Sequence, residues 1–360
     1  MEVLENDNIK CSFHKNDEKE LNPILELYRG KVYAFILKSF IFNCTDNLGT
    51  KIFSIKKSYP RTITNLLSSW FFTLYSSYDF SDDSFFPSNF ENPNCLVETL
   101  NDFTKYDLTI INKNEKIKNI IVKLKETYKE AMENLSDYKN SEYYNEKKDN
   151  YKILKKSIVQ NRNNEKINFF KFSINYPFKL RDKRQENIIN NILIPEYIYE
   201  KLKNRYTGPS EMLDSYLWII IYRYQLLGSN NNQLGVLPQI LLKMNQDFGL
   251  NFECFASSIN STFDNYCSIY YDVEKYFGSK GNFFKLLPMK GTFGFNPPYQ
   301  KNVMNMGINK LILFLEEADK NNNELTFIIT IPIWDKIGRK MMKFNYPEKS
   351  KTPIIEYDDF

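Results

Sequence analysis

Residues 325–331, Leu-Thr-Phe-Ile-Ile-Thr-Ile, constrain the fold more than any other stretch of the 360-residue chain. A run this apolar and β-branched reads as a strand covered on both faces. Strands of that kind belong to parallel sheets flanked by helices. The sequence upstream keeps the alternation that such a sheet needs. Residues 251–256 read as a first strand, 257–260 as a loop and 263–266 as a helical continuation. Residues 283–287 and 292–296 read as further strands, and 303–318 as a helix with Met304, Ile308, Leu311 and Leu315 on one side. The pattern predicts an open α/β sheet, whose ligands bind outside the carboxyl ends of its strands. The loops at 256–258, 276–281, 296–299 and 332–334 fall at that end.

Residues 291–299, Gly-Thr-Phe-Gly-Phe-Asn-Pro-Pro-Tyr, read as a buried strand that breaks into a rigid loop. Phe293 and Phe295 alternate on one face, and the two prolines stop both strand pairing and helix continuation. Left at the strand tip are the Asn296 amide, the Pro297 carbonyl and the Tyr299 ring, with Pro298 as the stiffener. Those groups suit the holding of a planar amine by its edge while stacking on the ring that carries it. The same four residues also make an ordinary Asn-Pro-Pro turn, so the flanking sequence has to decide.

Composition narrows the chemistry. With 26% charged and 42% hydrophobic residues the chain is globular, long enough for one large or two modest domains. A net charge of +4 is mild, so any nucleic-acid contact must come from local patches. His14 is the single histidine, which argues against a Ser-His-Asp triad or a His-ligated metal. The five cysteines (Cys11, Cys44, Cys95, Cys254 and Cys267) lack metal-ligand spacing, so no metal is expected. An odd count without a signal peptide points to reduced thiols in an intracellular compartment, cytoplasmic or nuclear. Richness in Lys, Asn and Ile reads as the codon bias of an AT-rich genome such as that of a large DNA virus or a protist. A viral source would add a viral factory or virion as the location. The apolar run from Val32 to Cys44 is interrupted by Lys38 and too short for a bilayer, so no membrane partner is expected.

The first 245 residues read differently. Residues 1–20 are polar and loose, and 21–245 are mainly helical. Residues 66–75 read as a buried helix; Ile117, Ile120, Ile121, Leu124 and Tyr128 mark an amphipathic one. Tyr151, Leu154 and Ile158 resume helical spacing, residues 167–178 alternate as a possible strand pair, and 196–205, 212–227 and 237–248 read as helices. Lys179, Arg181, Lys183 and Arg184 form a basic cluster that suits either RNA phosphates or a solvated turn.

In its (Asn/Asp/Ser)-Pro-Pro-(Tyr/Phe/Trp) form the tetrad resembles the motif of S-adenosylmethionine-dependent amino-methyltransferases. Phe252 to Ser257, then Tyr266-Cys267-Ser268, Tyr276 to Ser279, the tetrad, and Phe327 to Trp334 follow in one order. Over roughly residues 195–345 that series resembles the phosphorylated CTD-interacting factor 1 family of cap-specific adenosine N6-methyltransferases. The resemblance implies a Rossmann-like methyltransferase domain over 246–360, preceded by a mainly helical RNA- and cap-binding domain over 21–245. It implies S-adenosylmethionine as cofactor and the 2′-O-methyladenosine at a capped mRNA 5′ end as substrate.

Carried onto this chain, Asn296, Pro297, Pro298 and Tyr299 would hold the target amine and base. Two acceptors, the Asn296 side-chain oxygen and the Pro297 carbonyl, would stabilise charge developing on the amine nitrogen. Phe255, Ala256 and Ser257 would cradle the methionine part of the donor. Asp272, Phe277, Gly278 and Ser279 are candidates for its ribose and adenine; a helix-capping role for Asp272 stays open. Trp334 would stack on the cap, or else sit in the core. Lys301, Arg181 and Arg184 complete the expected substrate contacts. Lys301 and Ile333 stand where the animal form has acidic residues, which leaves a different nucleic-acid adenine, or a non-catalytic RNA-binding scaffold, as alternatives. Trp70, Trp218 and Trp334 lie in unrelated contexts, so no WW module and no binding to the RNA polymerase II tail are expected.

Overall fold

The computed structural model describes residues 2–6, 9–13, 20–49, 59–77, 83, 85–87, 94–104, 110–162, 165–177, 186, 189, 192–228, 235–288 and 290–331. A hairpin of β1 (Glu2–Asn6) and β2 (Ile9–Phe13) opens the chain. Helices α1 (Pro23–Leu48), α2 (Tyr59–Ser77), α3 (Asn94–Phe103), α4 (Lys113–Asn140) and α5 (Glu142–Lys147) follow. Next come strands β3 (Lys152–Arg162), β4 (Glu165–Asn175) and β5 (Ile192–Pro195), then helices α6 (Glu196–Arg205), α7 (Leu213–Leu226) and α8 (Pro238–Phe248). The last third holds β6 (Leu250–Glu253), β7 (Asn265–Tyr266), α9 (Tyr271–Glu274), β8 (Leu286–Pro288), β9 (Gly291–Phe295), α10 (Lys301–Lys320) and β10 (Leu325–Ile329).

Local chemistry sets several boundaries. Asn22 accepts from the Ile24 N–H and Pro23 occupies the first turn of α1, a paired start signal. Helix α4 buries Ile117, Ile120, Ile121, Leu124, Tyr128, Ala131 and Leu135, the stripe its 3.6-residue period dictates. Gly249, at φ 71°, stops α8 in the left-handed conformation that favours glycine.

The fold is mixed α/β. Strands β10, β9, β6 and β7 form a parallel sheet in that order. β9, α10 and β10 make one βαβ unit, because parallel neighbours need a crossover and the helix supplies it. Phe252, Cys254, Phe293 and Phe295 from the sheet pack on Leu311 and Phe314 of α10. A second, larger core joins α1, α2, α4 and α7 to Phe172, Ile192 and Ile194 of the antiparallel β3-β4-β5 sheet. Tyr270, Val273 and Phe277 belong to that same core, so packing runs continuously past residue 245.

Several sequence expectations change. Residues 152–162 form strand β3, not a helix, because Lys152 to Arg162 pair with all eleven positions of β4. Apolar residues at 151, 154 and 158 fit a helix equally well, and the available partner strand overrides that weak preference. The polar residues 1–20 carry β1 and β2, and β2 pairs with β8. Residues 283–285 form a 3₁₀ turn before β8, outside the parallel sheet. Residues 265–266, expected to be helical, form β7 beside β6. β10 is covered less than its composition suggests: Ile329 is 42% exposed. Among the described residues no helix is long and apolar enough to cross a membrane.

Candidate active site

A cleft of about 370 Å³ opens at the carboxyl ends of β6, β9 and β10. That volume lies in the range of small-molecule sites, roughly 300–1,000 Å³. Cys254, Phe255, Ala256 and Ser257, all just beyond β6, line it together with Asn296, Pro297, Pro298 and Tyr299 beyond β9. Phe72 of α2, Tyr224 of α7, and Leu241 and Met244 of α8 form the facing wall. The helical layer thus closes what the sheet opens.

Sheet hydrogen bonds aim the tetrad. The Thr330 N–H donates to the Phe295 carbonyl at 2.9 Å, and the Cys254 N–H to the Gly294 carbonyl at 2.8 Å. Pairing therefore persists up to the residue before Asn296 and ends where Pro297 removes the donor. The Tyr299 hydroxyl donates to Asn296 Oδ1 at 3.2 Å, which pins the amide while leaving the oxygen a second lone pair. Burial raises the Tyr299 phenol above its ordinary range, so it stays a donor at neutral pH. Tyr299 is 48% exposed, its ring lying at the mouth of the cleft. Among the described residues no hydrogen bond reaches the Pro297 carbonyl.

The loop after β6 is held from three sides. Asn260 Oδ1 accepts from the Ser257 N–H at 2.7 Å and its hydroxyl at 3.0 Å. Glu253 Oε1 accepts from the Thr262 and Phe263 N–H groups at 2.6 and 2.9 Å, and burial raises its carboxyl above the ordinary range. From α6, Lys201 Nζ donates to the Ile259 and Ser261 carbonyls at 3.0 and 2.9 Å. Burial, with neighbouring Arg205, lowers that amine to about 8. Arg205 donates to the Ser261 hydroxyl and the Thr262 carbonyl. From α9, the fully buried Glu274 Oε2 accepts from the Ser258 N–H at 2.6 Å and its hydroxyl at 2.8 Å.

Other candidates sit elsewhere. Asp272 does not line the cleft: both its oxygens accept from Arg223 at 2.9 Å. Arg223 also binds Glu26, which binds Arg29, making a buried ionic chain between α1, α7 and α9. Phe277 is a core residue, and Gly278, at φ 102°, turns the chain with the Asp264 carbonyl 3.0 Å from where a Cβ would stand. The Ser279 hydroxyl bonds that of Ser268, which lines the cleft, at 2.7 Å. The Lys301 side chain, and all of Arg181, Arg184 and Trp334, lie outside the described residues. Glu253, Asn260 and Glu274 escaped the sequence reading. An acid ending a strand at a ligand-side loop is a usable signal for Glu253; nothing in the spacing marks the other two.

Residues 196–352 match a family model described as the phosphorylated CTD interacting factor 1 WW domain. The chain is 34% identical over 124 residues to the mRNA (2'-O-methyladenosine-N(6)-)-methyltransferases of Homo sapiens and of Mus musculus. Each alignment takes 33% of this chain and 17% of the relative. The chain is partly similar to named mRNA methyltransferases. It spans about 17% of the length of these curated relatives. The family match corrects one expectation: a model named for the WW domain is detected, so the inferred lack of that module falls, and the inferred lack of polymerase-tail binding falls with it. Tryptophan spacing did not signal it: Trp218, within the matched span, is wholly buried and stacked on Tyr222.

Proposed function

We propose that the chain is an S-adenosylmethionine-dependent RNA methyltransferase that modifies N6 of a (2′-O-methyl)adenosine next to the mRNA cap. The supporting observation is that the tetrad 296–299 and the loop 255–257, forty residues apart in sequence, line one cleft at the carboxyl ends of parallel strands. The names of the mammalian relatives give the reaction class. On this reading residues 246–360 are a Rossmann-like catalytic domain and 21–245 a mainly helical RNA-binding domain.

The cleft residues fit the donor, which supplies an electrophilic methyl on a sulfonium. Phe255, Leu241 and Met244 give the cleft an apolar lining, and Ala256 and Ser257, anchored through their N–H groups to Cys267 and Asn260, line it beside them. Asn296 Oδ1 and the Pro297 carbonyl accept the two hydrogens of the target amine and stabilise the positive charge growing on its nitrogen. The Tyr299 ring stacks on the base, a contact worth roughly 1–3 kcal/mol in single-stranded recognition. Lys301, Arg181 and Arg184 contact RNA phosphates, and Trp334 stacks on the cap.

The test is methyl transfer to capped RNA beginning with 2′-O-methyladenosine. Asn296→Ala removes one of two acceptors and should lower kcat on the order of a hundredfold, by analogy with the loss of one oxyanion-hole donor. Equal rates for the variant and the wild type refute the site; equal rates on capped and uncapped RNA refute the cap specificity alone.

A further inference from the structure

Glu274 is wholly buried, yet its carboxylate bonds a cleft-lining residue and the neighbour of another. Its Oε2 takes the Ser258 N–H and hydroxyl, and its Oε1 takes the Tyr224 hydroxyl at 2.8 Å. The Ser268 hydroxyl stands near enough to favour its charged form. Tyr224 and Ser268 line the cleft, and Ser258 directly follows the lining residue Ser257. One carboxylate therefore joins the α7 wall to the loop after β6. A buried carboxylate is costly unless its lone pairs are met by donors, and the Ser258 N–H, the Ser258 hydroxyl and the Tyr224 hydroxyl meet them. A core of this aromatic character has no packing need for it, since Tyr270, Val273 and Phe277 around the same helix fill space without charge.

We infer that Glu274, in its ionised form, is the positioning residue for the methyl donor: it fixes the loop after β6 against the α7 wall at the spacing the donor requires. This rests on the reading of the cleft as a donor site. The ionised form accepts charge-assisted bonds from Ser258 and Tyr224, whereas a protonated carboxyl must donate to one of these hydroxyls and holds the others as weaker neutral bonds. Loop placement, and with it donor affinity, then follows the protonation of Glu274. Burial raises that carboxyl to about 7, inside the accessible range.

Among the charged groups around this carboxylate, the Lys201 amine, lowered to about 8 by burial, titrates nearest to it and holds the same loop. The Tyr224 phenol on α7 and the Tyr266 phenol on β7 are both raised far above neutrality by burial. On α7 and α9, Arg223 and Asp272 bond each other. On α6 and β6, Lys201, Arg205 and Glu253 bind residues 259–263 of the same loop, and Asp264 pairs with Arg205. Lys275, next in sequence, stands over the Tyr276 ring.

The experiment is calorimetric binding of S-adenosylmethionine to the full chain at about pH 6 and about pH 8, for wild type, Glu274→Gln and Tyr224→Phe. Wild type should bind several-fold more tightly at the higher pH. Glu274→Gln should bind about tenfold more weakly than wild type at the higher pH, as expected for loss of a charged hydrogen-bond acceptor, and should lose the rise in affinity between about pH 6 and about pH 7, keeping only what Lys201 contributes near 8. Tyr224→Phe keeps the carboxylate and should retain the pH dependence with a smaller loss. Tight wild-type binding with an unchanged pH profile in Glu274→Gln overturns the inference while leaving the proposed function standing. No donor binding by the wild type overturns both.

Discussion

Replacing Gly307 by alanine should damage the cleft from behind. Gly307 lies on the inner face of α10, and a Cβ there would stand 2.5 Å from Phe295 Cζ and 2.9 Å from its Cε2. Carbon atoms pack at roughly 3.5 Å or more, so about 1 Å of movement is required. The helix backbone cannot supply it cheaply, because α10 is tied to β9 and β10 within one βαβ unit. The ring cannot swing away either: it is fully buried, with Phe255 and Phe283 centred 5.3 and 5.5 Å from it. Alanine returns up to about 1 kcal/mol of helix propensity, while overpacking costs about 1–3 kcal/mol. The net loss of stability should therefore be modest, at most about 2 kcal/mol. Phe295 immediately precedes Asn296, so the same displacement reaches the tetrad, where about 1 Å of misplacement costs on the order of a hundredfold in rate. Urea unfolding and methyl-transfer kinetics on the same preparation test this. Wild-type kcat in a fully folded Gly307→Ala protein would refute the claim that this contact sets the position of the tetrad.

The buried ionic chain makes its own demand. Arg223→Met leaves Asp272 without its bidentate partner and removes one of the two arginines on Glu26, so stability measured by urea unfolding should fall by about 3–5 kcal/mol. Gly249→Ala forces a side chain into φ 71° with no clash to relieve, and should lower stability by about 1 kcal/mol without altering donor binding. Burial raises the Glu274 carboxyl from 4.5 to about 7, so the folded state holds the proton more tightly than the unfolded one. Its contribution to stability is complete below about pH 4.5 and is lost as pH rises through about 7, by about 3 kcal/mol at roughly 1.4 kcal/mol per pKa unit. Unfolding free energies of wild type and Glu274→Gln, compared between about pH 5 and about pH 8, should diverge accordingly.

What the sequence displays and what it hides divide along physical lines. Helix α4 was legible because its seven buried positions repeat at 3.6 residues with charge between them. The end of α8 was legible because Gly249 is a local signal. The strand carrying the tetrad was legible for the same reason: Phe293 and Phe295 alternate and the prolines end the pairing. Strand β3 was not, since its identity depends on a partner strand and its own apolar spacing suits a helix equally. Residues 263–266, expected to be helical, likewise take their conformation from β6 beside them and from the Glu253 carboxylate that receives the Thr262 and Phe263 N–H groups. Local signals survive in one dimension; pairing signals do not.

Asp272 and Glu274 sharpen that distinction, because they stand two residues apart on a four-residue helix and do opposite work. By residue type and position either one suits a ribose, and the sequence reading chose Asp272. The structure turns Asp272 toward Arg223, a residue 49 positions earlier whose helix looked merely apolar. It turns Glu274 toward Ser258 and Tyr224, at the wall and loop of the cleft. Two residues along a helix rotate a side chain by about 200°, so neighbours of one chemical type face different layers by construction. One carboxylate therefore ties α9 to α7 and, through Arg223, to α1, while the other ties the loop after β6 to α7. Assigning such a pair requires knowing where the arginine and the serine lie, and that information sits outside the local sequence. The consequence can be measured: Asp272→Asn should lower stability with little effect on donor affinity in the protein that remains folded, whereas Glu274→Gln should do the reverse at the pH where the carboxylate is charged.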